Sequence, residues 1–156
     1  MSTIALMGAG GKMGLRITRN LKDNPDYTTH YVEISEAGKA SLAELGLSVT
    51  PQDEALKKAD VVILAVPDAL MAKICGEIVP KLKSGTMVMG LDPAAAYAGV
   101  LPKRDDITYF ISHPCHPPLF GEETDPEAQR DWFGGVKAKQ SIVCALHQGP
   151  EEDYAK

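Results

Sequence analysis

The sequence predicts one α/β domain, a doubly wound parallel sheet with helices on both faces. Three observations predict it. Short apolar runs alternate with segments whose apolar residues recur every three or four positions. The first apolar run ends in a glycine-rich turn that opens a helix. The run Val61-Val62-Ile63-Leu64-Ala65-Val66 is apolar throughout, as a strand covered on both faces should be.

Each element follows in order. Residues 3–7 form the first strand. Met13, Ile17 and Leu21 recur at four-residue spacing and mark one face of a helix, which Asn24-Pro25 stops. Residues 28–34 are β-branched and aromatic, a second strand. Ser35 caps a helix running to about Leu45, and Gly46 closes it. Residues 47–50 read as a weak third strand and 51–59 as a short polar helix. After the 61–66 strand, Pro67-Asp68 opens a helix with Met71, Ile74, Cys75 and Ile78 along one face. Further strands are expected at 86–90, 107–112 and 140–146. Residues 113–135, rich in proline, glycine and acid, form a long connection of the kind that usually carries function. Gly149-Pro150-Glu151-Glu152 reads as a helix start. We therefore expect residues 1–148 to be one domain, and 149–156 to lead into a helical second domain after Lys156.

Composition narrows the function classes. The 156 residues suit one domain, and 44% hydrophobic with 24% charged residues is ordinary for a soluble chain. Sixteen basic and 21 acidic residues give a net charge of −5. No basic stripe with interleaved aromatics occurs, which argues against a nucleic-acid partner. No apolar run reaches the about 18 residues of a membrane span, and the N-terminus lacks a signal peptide's charged segment. Cys75, Cys115 and Cys144 are odd in number, widely spaced and without a CxxC, which reads as reduced, cytoplasmic chemistry.

The turn Gly8-Ala9-Gly10-Gly11-Lys12-Met13-Gly14 sits between strand and helix, the context that makes a dinucleotide fingerprint meaningful. Its glycines read either as Gly8-x-Gly10 plus Gly14 or as Gly8-x-x-Gly11-x-x-Gly14. The first glycine permits the tight turn, the middle one lets a pyrophosphate approach the backbone, and Gly14 lets helix and strand pack closely. The pyrophosphate then meets the helix N-terminus. This is the signature of a Rossmann domain binding a nicotinamide dinucleotide. Glu33 ends the second strand, 19 residues after Gly14. An acid near this spacing accepts hydrogen bonds from the ribose hydroxyls and repels a 2′-phosphate, so NAD is expected over NADP. Lys12 and Arg16 lie close enough in sequence to soften that preference.

Ligands of an open α/β sheet bind outside the carboxyl ends of its strands. Ala65, Val66 and Pro67 should wall the cofactor near its ribose. Met71 is counted with them, although its helical spacing, shared with Ile74 and Ile78, marks it more as core than as chemistry. Asp92 follows the next strand, near the nicotinamide, and His113 the one after. In His113-Pro114-Cys115-His116-Pro117-Pro118, the prolines stiffen the backbone around two imidazoles. Histidine titrates near neutrality, so His113 first and His116 second are candidate acid–base groups. The alternative is that both merely shape the loop. Cys115 is a weaker candidate as a nucleophile. His113, Cys115 and His116 carry metal-ligating atoms but no strong zinc spacing. Trp132 and Phe133 read either as a lid or as loop packing.

These motifs, with Ala65-Val66-Pro67-Asp68 and Ser112-His113-Pro114, resemble the N-terminal half of the 6-phosphogluconate dehydrogenase-like superfamily. It includes prephenate dehydrogenases, β-hydroxyacid dehydrogenases and ketol-acid reductoisomerases. Asp106-Ile-Thr-Tyr-Phe-Ile111, His113-Pro-Cys-His-Pro-Pro-Leu119 and Gln148-Gly-Pro-Glu151 narrow the resemblance to a subfamily labelled semialdehyde-dehydrogenase-like NAD-binding proteins, the D-apionate oxidoisomerase subfamily. The resemblance implies NAD-dependent oxidation of a hydroxyl on a small, branched-chain sugar acid, with isomerisation in the oxidoisomerases. It also implies a divalent metal ion, held mostly by carboxylates of a helical C-terminal domain that completes the site and a homodimer. Two rival readings stand beside it: a prephenate- or dihydrodipicolinate-type enzyme, and a non-catalytic NAD-sensing module.

Overall fold

The computed structural model describes residues 1–115, 122–131, 137–138 and 140–156. The chain opens with β1 (Ser2–Met7), α1 (Lys12–Leu21), β2 (Tyr27–Val32) and α2 (Glu36–Glu44). It continues through α3 (Gln52–Lys58), β3 (Val61–Leu64), α4 (Asp68–Ile78) and β4 (Met87–Gly90). The last elements are α5 (Ala94–Tyr97), β5 (Thr108–Pro114), α6 (Pro126–Arg130) and β6 (Ile142–Gln148). Single 3₁₀ turns follow α4 at Val79–Lys81 and β6 at Glu151–Ala155.

The sheet has six strands in the order β2-β1-β3-β4-β5-β6. Its first five strands run parallel, with Ile4 beside both Thr29 and Val61, Val61 beside Met87, and Met87 beside Thr108. The doubly wound architecture expected from the sequence is present. Its last strand differs: β6 runs antiparallel to β5, with Ser112 opposite Cys144.

Strand alternation divides the core in two. Ala5, Met7, Val62, Leu64 and Val88 face α3 and α4, meeting Leu56, Met71, Cys75 and Ile78. Ile4, Leu6, Val61, Ile63 and Met87 face the other way, toward Leu42 of α2 and Leu15, Ile17 and Leu21 of α1. Central strands buried on both faces explain the unbroken apolar run at 61–64. Ser35 caps α2 by accepting the Gly38 N–H, as its position before the helix predicts.

Three local expectations change. Residues 47–50 make only an isolated bridge, Tyr31 to Val49, because Pro51 cuts the segment short and lacks a ladder N–H. The helices α5 and α6 are additional, each a single turn too short for a periodicity signal. The helix start expected at 149–152 is a 3₁₀ turn, docked by the edge-on packing of Tyr154 against Phe110. Among the described residues, no helix is long and apolar enough to cross a membrane.

Candidate dinucleotide site

The sheet order places a switch point between β1 and β3, where the chain winds outward in opposite directions. The glycine turn occupies it, fastened from several sides. Gly8 N–H and Ala9 N–H both donate to the Val32 carbonyl, at 2.9 and 3.1 Å, and Gly11 N–H donates to the Gly8 carbonyl at 3.0 Å. Gly8 has φ +74°, and a Cβ there would stand 2.5 Å from the Ala65 carbonyl oxygen. A Cβ on Gly14 would stand 1.9 Å from the Gly8 carbonyl oxygen. Helix α1 therefore packs its backbone directly on the turn, at a distance no side chain allows. Thr18, fully buried, locks the joint by donating from Oγ1 to the Ala9 carbonyl at 3.1 Å.

Outside these strand ends lies a cleft of about 510 Å³, within the range of small-ligand sites. Gly11, Lys12 and Met13 line one end of it. Ala65, Val66, Pro67 and Met71 form its wall. Asp92 and His113 line the far end, beside Leu91. The fold thus gathers nine of the expected site residues around one space. Gly8, Ala9, Gly10 and Gly14 shape the turn from behind. Gly10 presses on Gly38, whereas a Cβ on Gly11 would meet only the Gly8 carbonyl, at 3.3 Å. That geometry favours the Gly8-x-x-Gly11-x-x-Gly14 reading.

Glu33 follows β2 as its spacing suggests, but its carboxylate turns inward, 9% exposed. Oε2 accepts the Gly10 N–H at 3.0 Å. Oε1 accepts the N–H groups of Ile34 and Ser35, both at 2.9 Å, and the Ser35 hydroxyl at 3.0 Å. Burial pushes the carboxyl pKa up, but the donors from Ser35, Ile34 and Gly10 outweigh it and hold it below its ordinary value.

At the far end, His113 Nδ1 lies 2.9 Å from the Leu91 carbonyl oxygen and 3.7 Å from Asp92 Oδ2. A carbonyl only accepts, so Nδ1 carries a proton, and in the neutral ring the lone pair lies on Nε2. Asp92 Oδ1 in turn accepts the Ala94 N–H at 2.7 Å, which fixes the carboxylate at the start of α5. Cys115 is half-buried, its thiol 3.9 Å from the His113 carbonyl. His116, Trp132 and Phe133 lie outside the described residues.

Sequence reasoning missed Thr18, Gly38, Asp68 and the Leu91 carbonyl. A threonine four residues past Gly14 on the apolar face of α1 was a readable signal for the first. Asp68 was visible as the helix opener but not as a cleft residue, which the structure makes it. Gly38 and Leu91 act through backbone atoms, which carry no residue-type signature.

The residues present fit a dinucleotide: a cradle that a Cβ would fill, a helix N-terminus at one end, and a histidine at the other. Among the described residues, no three His, Cys, Asp or Glu side chains converge as ligands.

Fold and cleft together define a Rossmann dinucleotide-binding domain. The chain belongs to the acetohydroxy acid isomeroreductase, NADPH-binding domain family, whose model matches residues 1–117. A second model, for the C-terminal part of decarboxylating phosphogluconate dehydrogenase, matches residues 121–156. The chain is 59% identical to D-apionate oxidoisomerase of Rhizobium rhizogenes, over 99% of its own length and 56% of that protein. Among solved structures, it superposes on a semialdehyde dehydrogenase NAD-binding protein from Cupriavidus necator, in complex with calcium and NAD. There the TM-score is 0.92 and the identity 57%, over 99% of this chain and 56% of that one. An oxidoreductase structure from Jannaschia sp. CCS1 gives a TM-score of 0.91 at 53% identity, over 99% and 56% of the two chains. The chain spans about half the length of the relatives it matches.

Proposed function

We propose that this chain is the NAD-binding part of an oxidoreductase acting on a hydroxyl group of a sugar acid, with D-apionate the first substrate to test. One observation carries the reading: a single cleft joins the N-terminus of α1 to His113. Its span gives a dinucleotide a phosphate anchor at one end and a proton acceptor at the other. The 59% identity to a D-apionate oxidoisomerase supports the substrate class.

NAD, when bound, supplies the acceptor for the hydride lost from the substrate carbinol carbon. This chain's residues do the rest. Gly11, Lys12 and Met13 face the pyrophosphate, where backbone amides and the α1 dipole favour an anion. Val66, Pro67 and Met71 exclude water along the wall. His113 takes the hydroxyl proton at Nε2, while its Nδ1–H stays on the Leu91 carbonyl. One C–H and one O–H bond break, a carbonyl forms, and the proton rests on the imidazole. His116 is the second candidate for this role.

The family's description names NADPH, but the residues beside the ribose position argue for NAD. Behind Glu33 come Ile34, 86% exposed, then Ser35 and Glu36. The next cation, Lys39, is engaged by Glu36 at 2.7 Å. A 2′-phosphate would approach two acids.

Calorimetric titration with NAD and NADP tests the cofactor. Saturable NAD binding, with NADP weaker and the gap narrowed in Glu33→Ala, is expected; binding of neither overturns the reading. A chimera joining this chain to the remaining half of the Rhizobium rhizogenes relative tests the substrate. NADH should form with D-apionate and not with prephenate.

A further inference from the structure

We propose that Gly38 and Glu33 are positioning residues of the cofactor site, holding the glycine turn in its working shape through Gly10. The inference rests on the cofactor reading above and adds a determinant on α2, outside the turn itself.

The observations form a closed ring. Glu33 Oε2 accepts the Gly10 N–H at 3.0 Å, and Glu33 Oε1 accepts the Ser35 hydroxyl at 3.0 Å. That hydroxyl accepts the Gly38 N–H at 3.1 Å. Gly38 closes the ring by contact: a Cβ on Gly10 would stand 2.2 Å from the Gly38 carbonyl oxygen. Three elements therefore meet around one carboxylate, the turn after β1, the end of β2 and the first turns of α2, and Gly10 touches Gly38 backbone to backbone. A carboxylate with four donors is a stiff strut, because charge-assisted hydrogen bonds are short and strong. With Gly10 held from the α2 side, the next residue, Gly11, is delivered to the cleft.

Gly38 is the sensitive member. A Cβ there would lie 2.5 Å from Glu33 Cδ and 2.7 Å from Oε2. The third near atom, Cγ at 2.7 Å, belongs to the same side chain, so alanine would displace the carboxylate from Gly10. Alanine also favours helix over glycine. Loss of cofactor affinity out of proportion to any loss of stability is then the signature of positioning, and a merely structural residue would not produce it.

The test is a double-mutant cycle on NAD affinity, measured calorimetrically beside thermal unfolding. Gly38→Ala should weaken NAD binding about tenfold while lowering Tm no more than Glu33→Ala does. Glu33→Ala should also weaken it. The double variant should bind no worse than Glu33→Ala, because the added methyl then has no carboxylate to displace. Amide exchange at Gly10, followed by NMR without cofactor, should accelerate in both single variants. Unchanged affinity in Gly38→Ala, losses that multiply in the double variant, or unchanged Gly10 exchange would each overturn the proposal. If the unaltered chain fails to bind NAD, the cofactor reading falls and the positioning role falls with it. If it binds but the cycle shows no coupling, only the positioning role falls.

Discussion

The imidazole of His113 and the carbonyl of Leu91 meet at 2.9 Å across the ends of two neighbouring strands. Strands β4 and β5 run side by side with Gly90 beside Ile111, so the residues just past each register reach one another. The contact fixes the ring's tautomer without using a second side chain. In neutral solution, ¹⁵N NMR should show the proton of His113 on Nδ1. In the chimera, His113→Gln should lower turnover by about 10²–10⁴-fold, the usual weight of a general base. Turnover within a factor of about two of the unaltered chimera would transfer the role to another group, with His116 next.

Gly14 packs backbone to backbone against Gly8 and Ala9, so its replacement has no soft neighbour to displace. The added Cβ of Gly14→Ala would meet the Gly8 carbonyl oxygen at 1.9 Å and Ala9 Cα at 2.8 Å. The helix must move off the turn, at a cost of about 2–4 kcal/mol. Thermal unfolding should show Tm lower by roughly 5–15 °C at this chain length. NAD binding should be lost as well. A variant that keeps both Tm and affinity would contradict the packing described for α1.

Glu33 also makes stability depend on pH. Its folded pKa lies below the ordinary 4.5, because its donors outweigh burial. A depressed acid stabilises the fold above its unfolded pKa, and that contribution drains away as pH falls through the folded one. Glu33→Gln removes the charge. The variant should be less stable than the unaltered chain by about 1–3 kcal/mol at neutral pH. The difference should shrink as pH drops from about 6 toward 3. Urea unfolding at both ends of that range measures it. An equal difference at both would mean that the carboxylate's charge does not matter.

The three thiols should react in order of exposure. Cys75 is fully buried in α4, and burial pushes its pKa to about 11. Cys144 is exposed on β6. A thiol reagent at neutral pH should label Cys144 first and Cys75 only on unfolding. Early labelling of Cys75 would show that α4 opens readily from the sheet.

Much of the fold was legible because its signals are local. The run at 61–64 names a strand buried on both faces, and Ser35 names a helix start. The stretch 47–50 misled because β-branched composition says nothing about whether a partner edge is available. Direction was not legible for β6. The same apolar residues fit a strand running either way, so composition does not decide which. That strand also pairs with β5, so residues 142–148 share the sheet of the 1–117 segment.

The glycine turn and its place between β1 and α1 can be read directly from the residues. These are properties of neighbours along the chain. Which glycine faces the cleft, where the Glu33 carboxylate points and which atom holds His113 emerge only on folding. Each depends on groups far apart in sequence: Glu33 finds Gly10 across 23 residues, and His113 finds Leu91 across 22. Such meetings are set by strand register and by close backbone contact. Residue types alone do not encode them, because the deciding partners are amides and carbonyls that every residue carries.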